Sequence, residues 1–251
     1  MSAPTFDLED KVAVITGGSK GLGRAIALGF AARGADVVVA SRKLAPCERV
    51  ADEVRALGRR ALAVACHVAD WAQCAALVNA AVAEFGRIDV LVNNAGIAPV
   101  PPNLLGVSEE LFDKTIAVNL KGPLRLTALA AEQMPRGGCV INISSKASTH
   151  PSPFTVVYAA AKAGLNALTK AAAQEYGARG IRVNAIVCGM FHTDSFHASV
   201  PTPEARTGAE KLVTLGRIAD ADEIVGTALY LATDASSYLT GQCITLDGGG
   251  V

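Results

Sequence analysis

An excess of charge of either sign is missing from this chain: 23 lysines and arginines stand against 23 aspartates and glutamates. Without a basic surplus nucleic acid is not an expected partner, and no cationic amphipathic run marks a membrane surface. No apolar run approaches the roughly 18–20 residues needed to cross a bilayer. The opening MSAPTFDLED is acidic and has no apolar centre, so no secretory leader is expected. Six cysteines, at 47, 66, 74, 139, 188 and 243, show neither CxxC spacing nor a regular framework. They read as reduced and mostly buried. Repeats, low-complexity tracts and a dividing linker are absent as well. The expectation is a soluble, cytoplasmic protein with one domain over residues 1–251.

What is present suits that reading. Apolar residues make up 51% of the chain, enough for a sizeable core. Short β-branched runs at 12–16, 36–40, 61–65, 89–92, 139–143, 181–187 and 243–246 are mostly continuous rather than alternating. Strands buried on both faces of a parallel sheet read that way. Helix-length segments at 22–33, 44–57, 71–85, 108–133, 155–178 and 221–232 lie between them. The rhythm predicts an α/β fold, a doubly wound parallel sheet with helices on both faces. Residues 189–216 break the rhythm and hold Pro201 and Pro203. A long irregular insertion in a compact domain is usually a functional loop, so this stretch is expected to cover a pocket.

The first predicted strand ends in TGGSKGLG, residues 16–23. Gly17, Gly21 and Gly23 stand where a strand turns tightly into a helix, and lacking a Cβ they let a pyrophosphate approach the backbone and helix amides. The second strand leaves through Ala40-Ser41-Arg42-Lys43. A carboxylate there would accept bonds from the ribose hydroxyls of NAD and repel a 2′-phosphate. Asp36 is at the wrong end of the strand. Arg42 can fork onto phosphate, Ser41 can donate, and Lys20 adds a second cation. The expectation is NADP, with NAD as the alternative.

Tyr158 and Lys162 are four apart in YAAAK, one turn along one helix face, with Ser145 upstream in VINISSKAS. A free tyrosine titrates near ~10, so acid or base work at neutral pH asks for a nearby cation to favour the phenolate. Lys162 is the cation within a helical turn. No spacing among His150, His192 and His197 suggests a metal.

These motifs occur in one order: TGGSKGLG at 16–23, NNAG at 93–96, Asn119 in AVNLKG, Ser145, YAAAK at 158–162, VNAIVCG at 183–189 and LDGG at 246–249. In that order the chain resembles the short-chain dehydrogenase/reductase family, in its branch of about 250-residue single-domain, Rossmann-type enzymes. The resemblance implies Tyr158 as general acid/base and Lys162 as the group that lowers its pKa and bonds the nicotinamide ribose. It implies Ser145 on the substrate oxygen, with Ser144 turned into the sheet, and Asn119 holding a relay water. Cofactor contacts are implied for Gly17, Ser19, Lys20, Gly21, Leu22, Gly23, Ser41, Arg42, Val68, Asn93, Ala95, Gly96, Tyr158, Lys162, Gly189, Phe191 and Thr193. Asn93 is the contact expected beside the adenine ribose, and Thr193 the one at the carboxamide. A homo-oligomer, tetramer or dimer, is implied through paired long helices; the row Ala159, Ala163, Ala167 and Ala171 is compatible with close packing.

Two positions depart from the family pattern. Cys188 stands where proline usually precedes Gly189, which could loosen that turn. His67 stands where an aspartate commonly meets adenine, and Asp70 reads as the start of the next helix. The function expected is NADP-linked interconversion of a carbonyl and a secondary alcohol. One alternative is a 3-oxoacyl-carrier-protein reductase, for which Arg206, Lys211 and Arg217 would form a basic patch. The other is a non-catalytic NADP-sensing module, which has no need of the four catalytic residues.

Overall fold

The computed structural model describes residues 6–135 and 137–250. Strand β1 (Val12–Thr16) is buried along its whole length, as its sequence VAVIT requires. It pairs in parallel with β2 (Asp36–Ser41) on one side and β4 (Val90–Asn93) on the other. Outward from β2 lies β3 (Ala61–Ala65); outward from β4 lie β5 (Gly138–Ser145), β6 (Ile181–Cys188) and β7 (Cys243–Leu246). Among the described residues the sheet has seven strands in the order β3-β2-β1-β4-β5-β6-β7. Strand order therefore reverses between β1 and β4, and the crevice for a ligand in such a sheet lies at that point, beyond the carboxyl ends.

Alternate residues of each strand feed two cores. Ala13, Ile15, Val37, Val39, Ile141 and Ile186 face the layer of α1 (Gly21–Ala31), α2 (Leu44–Ala56) and α9 (Ile224–Ala232). Val14, Val38, Leu91, Val140 and Val183 face α3 (Trp71–Phe85), α5 (Gly122–Ala131) and α6 (Val156–Tyr176). The period of two along a pleated strand makes this division possible only if nearly every position is apolar. Helix α3 starts where Asp70 accepts from the amides of Ala72 and Gln73, and ends at Gly86 with a φ of 78°.

The strands run one to three residues longer than expected at β5 and one longer at β2 and β6. The larger difference is in 108–133. Instead of one helix, α4 (Glu109–Ile116) passes through a π turn at Ala117–Lys121 into α5. Pro123 has no N–H for the carbonyl of Asn119, four residues back, so an uninterrupted α ladder cannot pass through this point. Residues 189–216 are not irregular throughout: they hold α7 (Asp194–Ser199) and α8 (Pro203–Glu210), each capped by a threonine. The alanine row on α6 is also divided. Ala159 is buried, while Ala163, Ala167 and Ala171 are exposed.

Polar side chains cross the core between β4, β5, α5 and α6. Asn93 donates to Thr127 Oγ1 at 3.1 Å and to Asn142 Oδ1 at 2.9 Å, and Asn142 donates to Thr169 Oγ1 at 2.9 Å. Replacing Asn142 with alanine removes the link and leaves Asn93 with one partner in a dry environment. The expected loss of unfolding free energy in urea is about 1–3 kcal/mol. An unchanged midpoint would show that this crossing contributes no net stability.

Candidate active site

The glycine turn is pinned from across the sheet. Asn94, just past β4, donates from Nδ2 to the carbonyls of Thr16 at 2.9 Å and Gly17 at 3.1 Å. Thr16 Oγ1 donates to Val92 O and accepts from the amides of Asn94 and Ala95. At Gly17, with φ at +63°, a Cβ would stand 2.7 Å from Asn94 Nδ2; at Gly23 it would stand 2.4 Å from the Gly17 carbonyl. Both glycines are therefore demanded by close backbone packing. Ser19 and Gly21 border the cleft half-buried, Leu22 packs on the core, and the first turn of α1 carries no acid. That cradle fits a pyrophosphate: it offers helix amides with no acid in the helix's first turn.

Around the cradle the expected contacts divide. Lys20 is not directed at the exit of β2. Its ammonium pairs with Asp194 of α7 at 2.6 Å, because a carboxylate on the facing segment is the nearest counter-charge. Ser41 Oγ lies 3.0 Å from Cys47 Sγ and 3.4 Å from Lys43 O, while Arg42 is exposed at the strand end. Asp36 is held at the opposite end by Arg59 at 3.2 Å. Asn93 gives a correction: its side chain is buried in the polar crossing described above, so it is Asn94 that reaches the cleft side of the motif. The second asparagine of NNAG was the available signal. Val68 is buried, with its carbonyl against Gly122, where a Cβ would come within 2.4 Å.

Ser145 ends β5, and its Oγ accepts from Ala147 N at 3.2 Å; Tyr158 is in the first turn of α6. Ser144 points the other way, buried, 3.5 Å from the Lys162 carbonyl. Lys162 is buried beneath Tyr158, 5.7 Å from its ring centroid, and donates to Ile143 O at 2.7 Å. Asn119, on the π turn, donates to Ile97 O and Thr115 O, both at 2.9 Å, and accepts from Ile97 N. Its amide is thus committed to fastening the loop after Gly96, and only Oδ1 keeps a lone pair for water.

Burial pushes the Tyr158 phenol above its ordinary range, partly offset by Ser145. Burial also brings Lys162 down from 10.5 to about 8.

Cys188 does not loosen the turn before Gly189. It stays in register with Ser145 of β5 and Leu246 of β7, and Gly189 N donates to Leu246 O at 2.9 Å. Its thiol is buried and pushed up to about 12 by that burial. Phe191 is buried, and Thr193 Oγ1 caps α7 by accepting from Phe196 N at 3.2 Å, with its methyl group against Gly21. Lys146 meets Asp247 at 3.3 Å, tying the LDGG segment to the serine's strand end. Nothing in the sequence pattern marked that pair.

The depressed Lys162 has a signed consequence. A buried cation whose folded pKa lies below its unfolded one penalises the fold below about 8, and the penalty fades as pH rises towards 10.5. In urea titrations, wild-type stability minus that of Lys162→Met is expected to rise between pH 7.5 and 10, by at most about 1.4 kcal/mol per pH unit. A difference flat across that window would mean that Lys162 keeps its ordinary pKa in the fold.

The family model described as enoyl-(acyl carrier protein) reductase matches residues 17–250. D-threitol dehydrogenase of Mycolicibacterium smegmatis is 36% identical, over 97% of this chain and 94% of its own. A short-chain type dehydrogenase/reductase of Mycobacterium marinum superposes with a TM-score of 0.91 at 36% identity, covering 97% of this chain and 96% of that one. A Beutenbergia cavernae protein described as an NAD(P)-dependent gluconate 5-dehydrogenase, with NADP bound at low occupancy, gives 0.93 at 35% identity and 98% coverage of both chains.

Proposed function

Because this chain belongs to the short-chain dehydrogenase/reductase family, and is an NAD(P)-dependent oxidoreductase of that family, we propose that it interconverts a secondary alcohol and its ketone with a preference for NADP. The observation that carries the reading is Lys162 buried beneath the Tyr158 ring, 5.7 Å from its centroid and bonded to Ile143 O of β5, the strand that ends in Ser145. The nicotinamide, when bound, supplies or accepts the hydride, so the protein need provide only a proton and orientation.

In this reading Gly17, Ser19, Gly21, Leu22 and Gly23 hold the pyrophosphate. Ala95 and Gly96 with the Val68 backbone border the adenosine half, and Gly189, Phe191 and Thr193 border the nicotinamide half. Ser145 positions the substrate oxygen and Tyr158 exchanges its proton with it. Lys162 holds the ribose, and Asn119 keeps the floor of the cleft in place. The preference for NADP rests on Ser41 and Arg42, since Lys20 is engaged by Asp194. Residues 189–216 cover the substrate, and the exposed Ala163, Ala167 and Ala171 suit a homo-oligomeric contact.

Small polyhydroxylated alcohols fit better than an acyl carrier protein. Arg217 is bonded twice to Glu223 at 2.6 Å, and Arg206 turns back onto the carbonyls of Val200 and Pro201. Two of the three cations wanted for an acidic carrier are thus occupied. The relatives named for threitol and gluconate point the same way. A pure sensor would have no use for a phenol stacked over a buried lysine beside the end of the serine's strand.

Tyr158→Phe is expected to lower turnover of a polyol panel by about 100-fold to 10,000-fold, with cofactor affinity changed by less than about threefold. Undiminished turnover would remove Tyr158 from the reaction. Arg42→Ala is expected to weaken NADPH binding by about 10- to 100-fold in a fluorescence titration and to leave NADH nearly unaffected. Equal loss for both cofactors would show that Arg42 does not read the 2′-phosphate.

A further inference from the structure

Both ends of the segment 189–216 stand on the same short footing, residues 246–250. At its start, Gly189 N donates to Leu246 O at 2.9 Å, and a Cβ on Gly189 would stand 2.6 Å from Asp247 Cα. At its end, Thr214 N and Leu215 N donate to the carbonyls of Gly249 and Gly248 at 3.3 and 3.1 Å. Thr214 Oγ1 adds a bond to Gly249 O at 2.5 Å, and Val213 bridges Gly250 in antiparallel sense. A Cβ on Gly248 would stand 2.8 Å from Val213 Cγ1, so the seat is close. A long loop whose two ends meet on one support moves as a unit with that support.

One ion pair ties this footing to the wall of the cleft that carries Ser145. Asp247 Oδ2 stands 3.3 Å from Lys146 Nζ, with 14% and 18% of the two side chains exposed. Asp247 Oδ1 accepts from Gly249 N at 3.0 Å, so one carboxylate oxygen shapes the footing and the other reaches across. Lys146 lies inside the turn that Ser145 Oγ closes by accepting from Ala147 N. The Lys146 carbonyl accepts from Thr149 N at 3.0 Å, His150 N at 2.9 Å and Thr149 Oγ1 at 3.1 Å. Ser148 Oγ accepts from Asn166 Nδ2 of α6 at 2.8 Å. The serine's turn is thus held by the tyrosine's helix on one side and by Asp247 on the other.

We propose that Lys146 and Asp247 are positioning residues for the reaction. Their pair fixes the spacing between the Ser145 hydroxyl and the segment 189–216, and so sets how tightly the alcohol or ketone is gripped between them. The inference rests on the functional reading above, in which Ser145 holds the substrate oxygen and 189–216 covers the substrate. A pair this shielded is screened by dissolved ions far less than an exposed one, and removing one charge leaves the other uncompensated. The pyrophosphate cradle at the end of β1 is pinned separately, by Asn94 and Thr16, so the pair acts on substrate more than on cofactor.

The test compares Asp247→Asn, Lys146→Met and the double variant in the full chain. Asparagine keeps an oxygen for Gly249 N and methionine keeps the lysine stem, so each removes little but a charge. The substrates are a polyol panel that includes threitol and gluconate. Each single variant is expected to raise KM about 5- to 20-fold while kcat and the NADPH dissociation constant change by less than about threefold. The double variant is expected to be no worse than either single one, because the pair acts as a unit. A merely structural pair would lower the urea midpoint and leave KM in place. That result, or losses that multiply in the double variant, overturns the proposal, and either single variant alone decides the KM. Hydrogen exchange reads the footing without substrate: protection of the Thr214 and Leu215 amides is expected to fall at least about tenfold in Asp247→Asn. Unchanged protection overturns the link between the pair and the segment. A wild-type chain that turns over no member of the panel overturns the functional reading, while the exchange measurement still decides the link.

Discussion

Between β1 and β4 the chain leaves the sheet in opposite directions, and the site depends on that divergence. One helix crosses each face, so nothing fills the space above the two strand ends. A crevice between diverging strands would close or slide if its walls were free. Asn94 prevents this by donating twice from one amide into the glycine turn, while Thr16 reaches back to Val92 and to the amides of Asn94 and Ala95. Five side-chain bonds thereby fix the strand ends to each other, and the glycine turn inherits their position.

The group proposed for catalysis is built from the same logic one strand further on. Ser145 and Cys188 are register partners at the ends of β5 and β6, and α6 lies across them. The helix delivers Lys162 to the Ile143 carbonyl and Tyr158 to the serine. Burial opposes charge on both residues, which leaves a neutral phenol and a lysine titrating near 8. In the proposed reaction a phenol that gives up its proton becomes a phenolate in a dry site, and a bound cationic nicotinamide would favour that anion from outside.

Much of this was legible in the sequence, for identifiable reasons. Runs such as VAVIT and DVVVA must be doubly buried strands, since no other element hides every residue of so short a segment. The glycine spacing and the YAAAK pair are local and therefore visible. Long-range partners were not. The Lys20–Asp194 pair joins residues 174 apart, and the crossing through Asn93, Asn142 and Thr169 joins three separate elements. Asn93 and Asn94 are chemically identical and adjacent, so only the pleat decides which one faces the cleft. The π turn had a signal in Pro123, but a proline just inside a helix start and one inside a longer helix look alike until the ladder is traced.

The tie between Lys20 and Asp194 lies wholly in solvent, with 70% and 74% of the two side chains exposed. Such ties are worth little more than thermal agitation, and dissolved ions weaken them further. It joins the rim of the proposed phosphate cradle to the first turn of α7, the segment proposed to border the nicotinamide. The roof of the cleft is therefore fastened at its edge by a clasp that ordinary molecular motion can undo, and traffic in and out of the crevice can proceed without disturbing either core.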